Sequence, residues 1–510
     1  MENINLSSKK KWVKVKLGDL ASTITKGSTP TTYGFNYLDK GIPFIKIENI
    51  ENDKISHRSI KQFISNEAHE YQSRSQLQEG DILFSIAGTI GKTCIVTKND
   101  IPSNTNQALS IIRGTKKYLL PKFLKLQFLS ILSTTVKKKA RGGAMSNISL
   151  NDLEKMDILL PSIQEQNRII EKIEELFSDL DKATEELKKT QEQLKIYRQA
   201  VLKDAFEGKL TEEWRRNNNT SSADLLFRKV FNKRKEIYRK QQFKKCKKLK
   251  PPEKFYKKEN ITEIKLDGIP DTWKQIKFID LIKYEENTIK RGPFGSAIKK
   301  VYFVLKGYKV YEQKNAINDD VMLGNYFIDE AKYKELERFS VKGGDYIISC
   351  SGTIGRISKL PKDASIGVIN QALLKIVLDE DLFIDRLFLY LFRAEFFQRK
   401  ILKETRGSAM KNISSVEDIK NINVLLPSKK EQEQMLQEIE SRLSVCDKLE
   451  ETVQQSLEKI KYLRQSILKK AFEGNLVPQN PEDEPAEKLL ERIKQEKEKH
   501  KYNNKKRKKR

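Results

Sequence analysis

The residues that come nearest to a chemical pattern are Thr89-Ile-Gly-Lys-Thr93, which have the form of the end of a phosphate-cradling loop. Such a loop wraps phosphates in backbone N–H groups and needs an opening glycine, which here falls at position 86 and is Ile. A second stretch of the chain repeats the turn as Gly352-Thr-Ile-Gly355 but follows it with Arg356 and Ile357, so the Lys-Thr pair is not kept. Gly-Thr-Ile-Gly therefore reads as a tight strand-connecting turn whose glycines let backbone approach something closely, not as a nucleotide site. No Gly-x-Gly-x-x-Gly follows a strand-like segment. His57, His69 and His500 have no counterparts in the repeated stretch. The four cysteines, Cys94, Cys246, Cys350 and Cys446, lack any Cys-x-x-Cys spacing, so reduced thiols and no metal are expected. The carboxylates show no spacing that indicates acid/base work. These residues predict a non-catalytic chain with no cofactor of its own.

What the sequence does contain is a duplication. Asp81-Ile-Leu-Phe-Ser-Ile-Ala-Gly-Thr-Ile-Gly91 returns as Asp345-Tyr-Ile-Ile-Ser-Cys-Ser-Gly-Thr-Ile-Gly355, and Asn106-Gln-Ala-Leu109 as Asn370-Gln-Ala-Leu373. Arg141-Gly-Gly-Ala-Met-Ser-Asn-Ile-Ser149 returns as Arg406-Gly-Ser-Ala-Met-Lys-Asn-Ile-Ser414, and Ala205-Phe-Glu-Gly208 as Ala471-Phe-Glu-Gly474. The offsets of 264 to 266 residues far exceed a solenoid period, so each copy is a domain with an appendage.

At 510 residues, 38% hydrophobic and 33% charged, the chain has room for three or four globular domains. No apolar run approaches a membrane span, and Met1-Glu-Asn-Ile-Asn lacks the apolar stretch of a signal peptide, so a cytoplasmic protein without membrane contact is expected. The formal charge is +28, and its placement is informative. Arg215–Lys258 holds 17 basic and 3 acidic residues, and Lys494–Arg510 holds 10 basic and 2 acidic, so the excess follows the two copies at equivalent places. Either these segments gather phosphates through counterion release or they are solvated charged helices and a basic tail.

Each copy opens on a strand-like, Trp-containing segment, Trp12-Val-Lys-Val-Lys-Leu or Trp273-Lys-Gln-Ile-Lys-Phe. Gly-rich loops follow, Lys26-Gly-Ser-Thr-Pro30 and Arg291-Gly-Pro-Phe-Gly-Ser296, then short strands such as Ile42–Ile47 and Tyr308–Tyr311. After each strand-rich part, Leu-Leu-Pro-Ser introduces a helix that Ser162 or Ser428 can cap with Glu165 or Glu431 three residues on, and that Gly208 or Gly474 can stop. Ile173, Leu180, Leu187, Leu194 and Val201 recur every seven residues, as do Ile439, Cys446, Val453, Ile460 and Ile467. A helix of this length, about 65 Å at ~1.5 Å per residue, cannot bury its stripe alone. The two helices pair antiparallel inside one chain, or each dimerises with another chain. The fold class expected is α+β: two mixed strand-rich domains in tandem, each followed by a long helix, with an intramolecular antiparallel coiled coil.

Two such domains, each followed by a helix with Leu-Leu-Pro-Ser-x-x-Glu-Gln at its start and Ala-Phe-Glu-Gly at its end, resemble the specificity subunit of type I restriction-modification systems. The resemblance runs from about Trp12 to about Leu490. It implies target recognition domains at 1–160 and 266–426, spacer helices at 161–208 and 427–474, a basic helical linker at 209–265 and a C-terminal helical segment with basic tail at 475–510. It further implies double-stranded DNA as ligand, and two methyltransferase and two restriction/motor subunits as partners. Those partners would bring S-adenosylmethionine, ATP and Mg. Neither Asn-Pro-Pro-Tyr nor Asp-Pro-Pro-Tyr, expected by resemblance to adenine methyltransferases, occurs here. Rival readings are a stand-alone sequence-specific DNA-binding regulator and a coiled-coil scaffold.

If the domains read DNA, the contacts fall on polar or basic residues in variable loops and shared turns. In the first copy these are Lys26, Ser28, Thr29, Lys46, Asn49, Ser85, Thr89, Lys92, Asn106, Arg141 and Asn147. In the second they are Arg291, Ser296, Lys299, Lys300, Gln313, Lys314, Asn315, Ser349, Thr353, Arg356, Asn370, Arg406, Lys411 and Asn412. Lys and Arg would mostly hold phosphates, while Asn, Gln and some Arg pair with base edges. Asn106-Gln107 and Asn370-Gln371, present in both copies, equally well stabilise the fold. Because Thr29–Lys40 and Glu51–Glu79 differ strongly from their counterparts, the two half-sites are expected to differ. Adding four residues to one helix should lengthen it by ~6 Å, nearly two base pairs at ~3.4 Å each. A methylation motif whose unread spacer grows while its half-sites stay fixed is the expected outcome, and an unchanged spacer would refute the ruler.

Overall fold

The computed structural model describes residues 12–115, 117–139, 147–219, 221–243, 268–404 and 411–508. The first copy runs through β1 (Val13–Lys16), β2 (Thr23–Lys26), β3 (Ile42–Ile45), β4 (Phe63–Ile64), β5 (Ile82–Ser85), β6 (Thr93–Ile95), β7 (Asn104–Thr105) and β8 (Leu109–Arg113). Helix α1 (Pro121–Lys139) and β9 (Asp157–Leu160) then lead into the long helix α2 (Ile163–Phe206), which is followed by α3 (Ala223–Phe243). The second copy comprises β10 (Lys274–Lys277), β11 (Ile289–Arg291), β12 (Phe303–Val304), β13 (Tyr308–Tyr311), β14 (Phe327–Ile328), β15 (Ser340–Val341), β16 (Tyr346–Ser349), β17 (Ile357–Lys359), β18 (Gly367–Ile369) and β19 (Leu373–Ile376). It ends through α4 (Asp385–Arg393), β20 (Asn423–Leu426) and the second long helix α5 (Lys429–Phe472), after which comes α6 (Ala486–Lys508).

Each domain is built on an antiparallel four-stranded sheet, ordered β2-β8-β5-β6 in the first and β11-β19-β16-β17 in the second. The central strands are buried on both faces, and alternation sends their side chains into two different cores. Ile82, Phe84 and Ile112 face a core shared with α1 and α2, whereas Leu83, Leu109 and Ile111 face a smaller core under the loops. Tyr346, Ile348, Leu374 and Ile376 repeat the first set, and Ile347 and Leu373 the second. The layer over the smaller core is where the copies part. It is a three-stranded sheet, β4-β3-β7, in one copy and a five-stranded sheet, β12-β14-β13-β18-β15, in the other.

The chain divides into two compact units, Met1–Lys188 with Gln454–Arg510, and Lys189–Val453. Each therefore contains one strand-rich domain, part of the long helix that follows it and part of the other long helix. The helices pair antiparallel within the one chain, as the heptad stripes predict. Ile173, Leu194 and Val201 of α2 and Ile439, Cys446, Val453 and Ile460 of α5 are all buried. Charged contacts flank the seam. Arg198 meets Asp447 at 2.5 Å and Glu450 at 3.1 Å in one unit, and Arg464 meets Asp181 in the other. Arg198 and Arg464 are counterparts under the 266-residue offset, as are Asp181 and Asp447, so one contact is made twice. Exposed ion pairs of this kind add little stability and mainly fix partner orientation and register.

The helix ends follow the sequence signals. Ser162 Oγ accepts from Glu165 N at 3.0 Å and Ser428 Oγ from Glu431 N at 3.3 Å. Gly208 and Gly474 take the left-handed conformation that terminates each helix, with φ of 78° and 70°. The glutamates depart from the capping-box expectation. Glu165 accepts from Trp12 Nε1 at 2.9 Å, and Glu431 from Thr211 Oγ1 at 2.8 Å and Arg215 Nη1 at 3.1 Å. A carboxylate this deeply buried, 5% exposed at Glu165 and fully covered at Glu431, is best satisfied by donors that come into the interior with it. Burial pushes the Glu165 carboxyl above its ordinary range, and the Trp12 N–H opposes that.

The segments after the long helices are anchors more than free tails. Arg168 grips Asp483 through two contacts at 3.0 and 2.6 Å. Ala223 and Val230 of α3 enter the core of their unit, and Leu489 and Ile493 of α6 that of theirs. Within the basic stretch Arg215–Lys258, Arg234 is buried and binds Asp280 O at 2.6 Å and Asp379 Oδ2 at 2.7 Å. Lys233 pairs with Asp381 at 2.6 Å. These cations serve the fold, while residues 244–258 of the stretch lie outside the described residues.

The Gln of the Leu-Leu-Pro-Ser-x-x-Glu-Gln motif locks helix to domain. Gln166, fully buried, donates to Tyr118 O at 3.0 Å and Pro161 O at 3.1 Å and accepts from Leu120 N at 2.9 Å. Gln432 does the same with Leu382 O, Pro427 O and Ile384 N. Replacing Gln166 with Leu leaves one buried N–H and two carbonyls without these partners. A loss on the order of 2–4 kcal/mol is expected. Urea unfolding followed by circular dichroism reads it, and an unchanged midpoint would contradict this role.

Candidate nucleic-acid interface

Four turns meet on the loop side of each domain, and backbone contacts tie them together. In the first domain the β2 loop is pressed onto the turn before β8. A Cβ on Gly27 would lie 2.0 Å from Thr105 O, so only glycine fits, and Ser28 N donates to Thr105 O at 3.1 Å. That turn holds the Gly-Thr-Ile-Gly turn through Ile86 N to Ala108 O at 2.9 Å. Lys92 then reaches across to Ile50 O at 2.9 Å and Ile47 O at 3.3 Å in the turn after β3. The second domain uses the same plan. A Cβ on Gly292 would fall 1.8 Å from Asn370 O, Cys350 N donates to Ala372 O at 2.7 Å, and Ser351 Oγ donates to Gln313 Oε1 at 3.1 Å.

The duplicated motif residues are the ones that shape these turns. Ser85 Oγ donates to Thr89 O at 2.6 Å and accepts from Lys92 N at 2.8 Å; Ser349 Oγ does so with Thr353 O at 2.6 Å and Arg356 N at 3.0 Å. Asn106 Oδ1 accepts from Ala108 N, and Asn370 Oδ1 from Ala372 N. Asp81 and Asp345 accept from Gln78 N and Lys342 N ahead of their strands, and burial raises the Asp345 carboxyl above its ordinary range. Asn49 and Asn315 form a further pair that the sequence matches did not align. Both are buried, and each accepts from the backbone N–H three residues earlier at 2.8 Å while donating to nearby carbonyls.

The other expected residues divide by exposure. Lys26, Thr89, Asn147, Arg291, Ser296, Lys299, Lys300, Lys314, Thr353 and Arg356 are exposed; Ser28, Thr29, Lys46 and Gln313 are half-buried. Thr29 bonds Gln107, Lys46 lies 5.2 Å from the Tyr37 ring centroid, and Lys314 pairs with Glu312 at 2.7 Å. Asn147 bridges to Ala87 and so joins the Gly-Thr-Ile-Gly turn of the first domain. Lys411 and Asn412 fall in a short strand, Lys411–Ile413, paired with Leu402–Glu404. Arg141 and Arg406 lie outside the described residues. Exposed side chains that sequence reasoning did not choose are Gln107 and Gln371, whose duplication was visible, and Phe294 between two loop glycines.

The face holds cations and amides in place and carries no activated nucleophile among the described residues. Burial pushes the Cys94 thiol up to about 12 and the Cys350 thiol up to about 11, the Arg291 guanidinium acting weakly the other way on Cys350. Among the described residues no group of three His, Cys, Asp or Glu is placed to hold a metal ion, and no helix is long and apolar enough to cross a membrane.

The comparisons with known proteins agree on one family and extend over both copies. A family model described as the type I restriction modification DNA specificity domain matches residues 9–195 and again 270–459. The type I restriction enzyme EcoBI specificity subunit of Escherichia coli is 24% identical, over 97% of this chain and 94% of its own length. The EcoKI specificity subunit of Escherichia coli strain K12 is 25% identical, over 95% of each. A solved chain from work on complex assembly and conformational transition of the type I R-M system shares the fold, with a TM-score of 0.60 at 17% identity, over 91% of this chain and 98% of that one. Two family matches thus fall on the two copies that the duplicated motifs define. The chain belongs to the type I restriction-modification DNA specificity family, with that family's non-catalytic role of recognising DNA and scaffolding a restriction-modification complex.

Proposed function

We propose that this chain reads an asymmetric, bipartite DNA target, one half-site per domain, and assembles two methyltransferase and two motor-nuclease subunits that bring S-adenosylmethionine, ATP and Mg. The observation that carries the reading is the four-turn face, built twice by equivalent residues and furnished differently. Ser85/Ser349, Asn106/Asn370 and Asn49/Asn315 hold matching turns. On that shared mount, Lys92 is tied to carbonyls where the second domain exposes Arg356, and Thr29 stands where the second domain exposes Phe294. Equal mounts with unequal side chains are what two readers of different sequences require.

Within this reading the exposed cations Lys26, Arg291, Lys299, Lys300 and Arg356 hold phosphates. Thr89, Asn147, Thr353 and Gln313 stand closest to base edges, while Asn49, Asn315, Ser85, Ser349, Asn106 and Asn370 position them. Methyltransferase docking is assigned to the outward faces of the long helices. Ile196 of α2 is 70% exposed and Tyr462 of α5 is 66% exposed, and the two are counterparts under the 266-residue offset. Large apolar side chains at matched outward positions suit two copies of one partner.

Co-expression with the methyltransferase partner in a methylation-free host, followed by mapping of modified adenines, tests the proposal. One split motif with unlike halves is expected, and exchanging the first domain for that of a relative should change one half only. Soluble, associated proteins without any motif would overturn it. In the same system, Ile196→Glu with Tyr462→Glu should reduce partner retention at least tenfold while the chain's own unfolding midpoint stays put. Full retention would remove the helices' outward faces as the docking surface.

A further inference from the structure

Phe294 is 90% exposed, on the loop that opens the four-turn face of the second domain. Its loop is held against backbone on one side and lies beside a glutamine side chain on the other. Gly292 is pinned against Asn370 O, Pro293 is buried, and Gly295 lies under the Gln371 amide, where a Cβ would come within 2.6 Å of Oε1. Downstream, Ala297 N closes back on Phe294 O at 2.9 Å, and Ala297 and Ile298 pack into the small core. Phe294 precedes the short 3-10 turn Gly295–Ala297 as Thr29 precedes Pro30–Tyr33, so the two occupy the same place in the two domains. At this place the first domain has a small hydroxyl bound to Gln107, and the second projects a benzyl group into solvent.

The surroundings name the occupant. From Ile289 to Tyr311 the chain has no Asp or Glu and six cations; Arg291, Lys299, Lys300 and Lys306 are exposed, while Lys290 is half-buried and Lys309 is buried with its ammonium on Val321 O and Met322 O. An apolar partner protein gains nothing from such a border, whereas a polyanion does. An exposed aromatic tip on a segment whose exposed charges are Arg291, Lys299, Lys300 and Lys306 matches the apolar wedges that proteins drive between base pairs to unstack a step. Leu305 and Met322 are exposed as well, but neither stands in a turn shared by both domains.

We infer that Phe294 is a wedge, inserted into one base step of the half-site read by the second domain, and that it selects for a step that unstacks easily. This rests on the DNA-recognition reading above and deepens it. Flexible pyrimidine–purine steps yield to such insertion most readily, so specificity at that position comes from deformability in place of a hydrogen bond.

The test uses the assembled chain and methyltransferase with a duplex carrying the mapped motif. 2-Aminopurine is placed at successive positions of the second half-site, avoiding the methylated base. One position should brighten several-fold on binding wild-type complex and stay at the free-duplex level with Phe294→Ala, whose affinity falls about tenfold. Phe294→Trp should keep the brightening. Binding and methylation of the motif with no brightening anywhere, or brightening that survives in Phe294→Ala, would overturn the wedge and leave the recognition reading standing. Reduced affinity in Phe294→Ala without any wild-type brightening would assign the ring to a stacked duplex, through a thymine methyl, and also overturns it. Absence of sequence-selective binding by wild-type complex would bring down both.

Discussion

The structure depends on the pairing of two apolar stripes that neither long helix can bury alone. Leaving Ile173, Leu194 and Val201, or Ile439, Val453 and Ile460, in water would forfeit roughly 1.5–3 kcal/mol for each side chain. Because the second stripe lies 266 residues along the same chain, the partner is always present and the loss of association entropy is small. The repeated contact, Arg198 with Asp447 and Arg464 with Asp181, gives the pairing one register and one direction.

From that pairing the rest follows outward. The buried Gln166 and Gln432 fasten each helix start to its domain through three hydrogen bonds each, so the strand-rich part cannot turn freely about the helix. Glu165 and Glu431, whose partners lie 153 and 220 residues away in the sequence, sit where chain ends and helix starts converge. On each central sheet one face packs against the helices and the other carries the loop-side core. A reader on such a scaffold spends little ordering entropy when it meets its ligand. That is the physical case for placing recognition in turns fixed by glycine and asparagine rather than in free loops.

Much of this was legible in the sequence because duplication exposes what geometry demands. Gly27/Gly292, Ser85/Ser349 and Asn106/Asn370 recur because each meets a backbone requirement, so the matches marked the turns and the helix ends correctly. The roles of α3 and α6 were hidden. Ala223, Leu226 and Val230 share their spacing with Ala486, Leu489 and Ile493, but the surrounding basic residues masked the short apolar stripe. The capping-box reading of Glu165 and Glu431 failed for a related reason, since a local rule cannot foresee a donor delivered from a distant segment. The difference between a residue that builds a turn and one exposed on it, as between Asn49 and Lys26, is a matter of burial, which residue type alone does not disclose.

The central claim, that one chain supplies both helices of the pair, is tested most directly by sedimentation of the isolated protein at nanomolar concentration with circular dichroism on the same dilution series. The account predicts the mass of a single chain and helical content that does not change with dilution. A two-chain mass that dissociates on dilution with loss of helix would place the pairing between chains and contradict it.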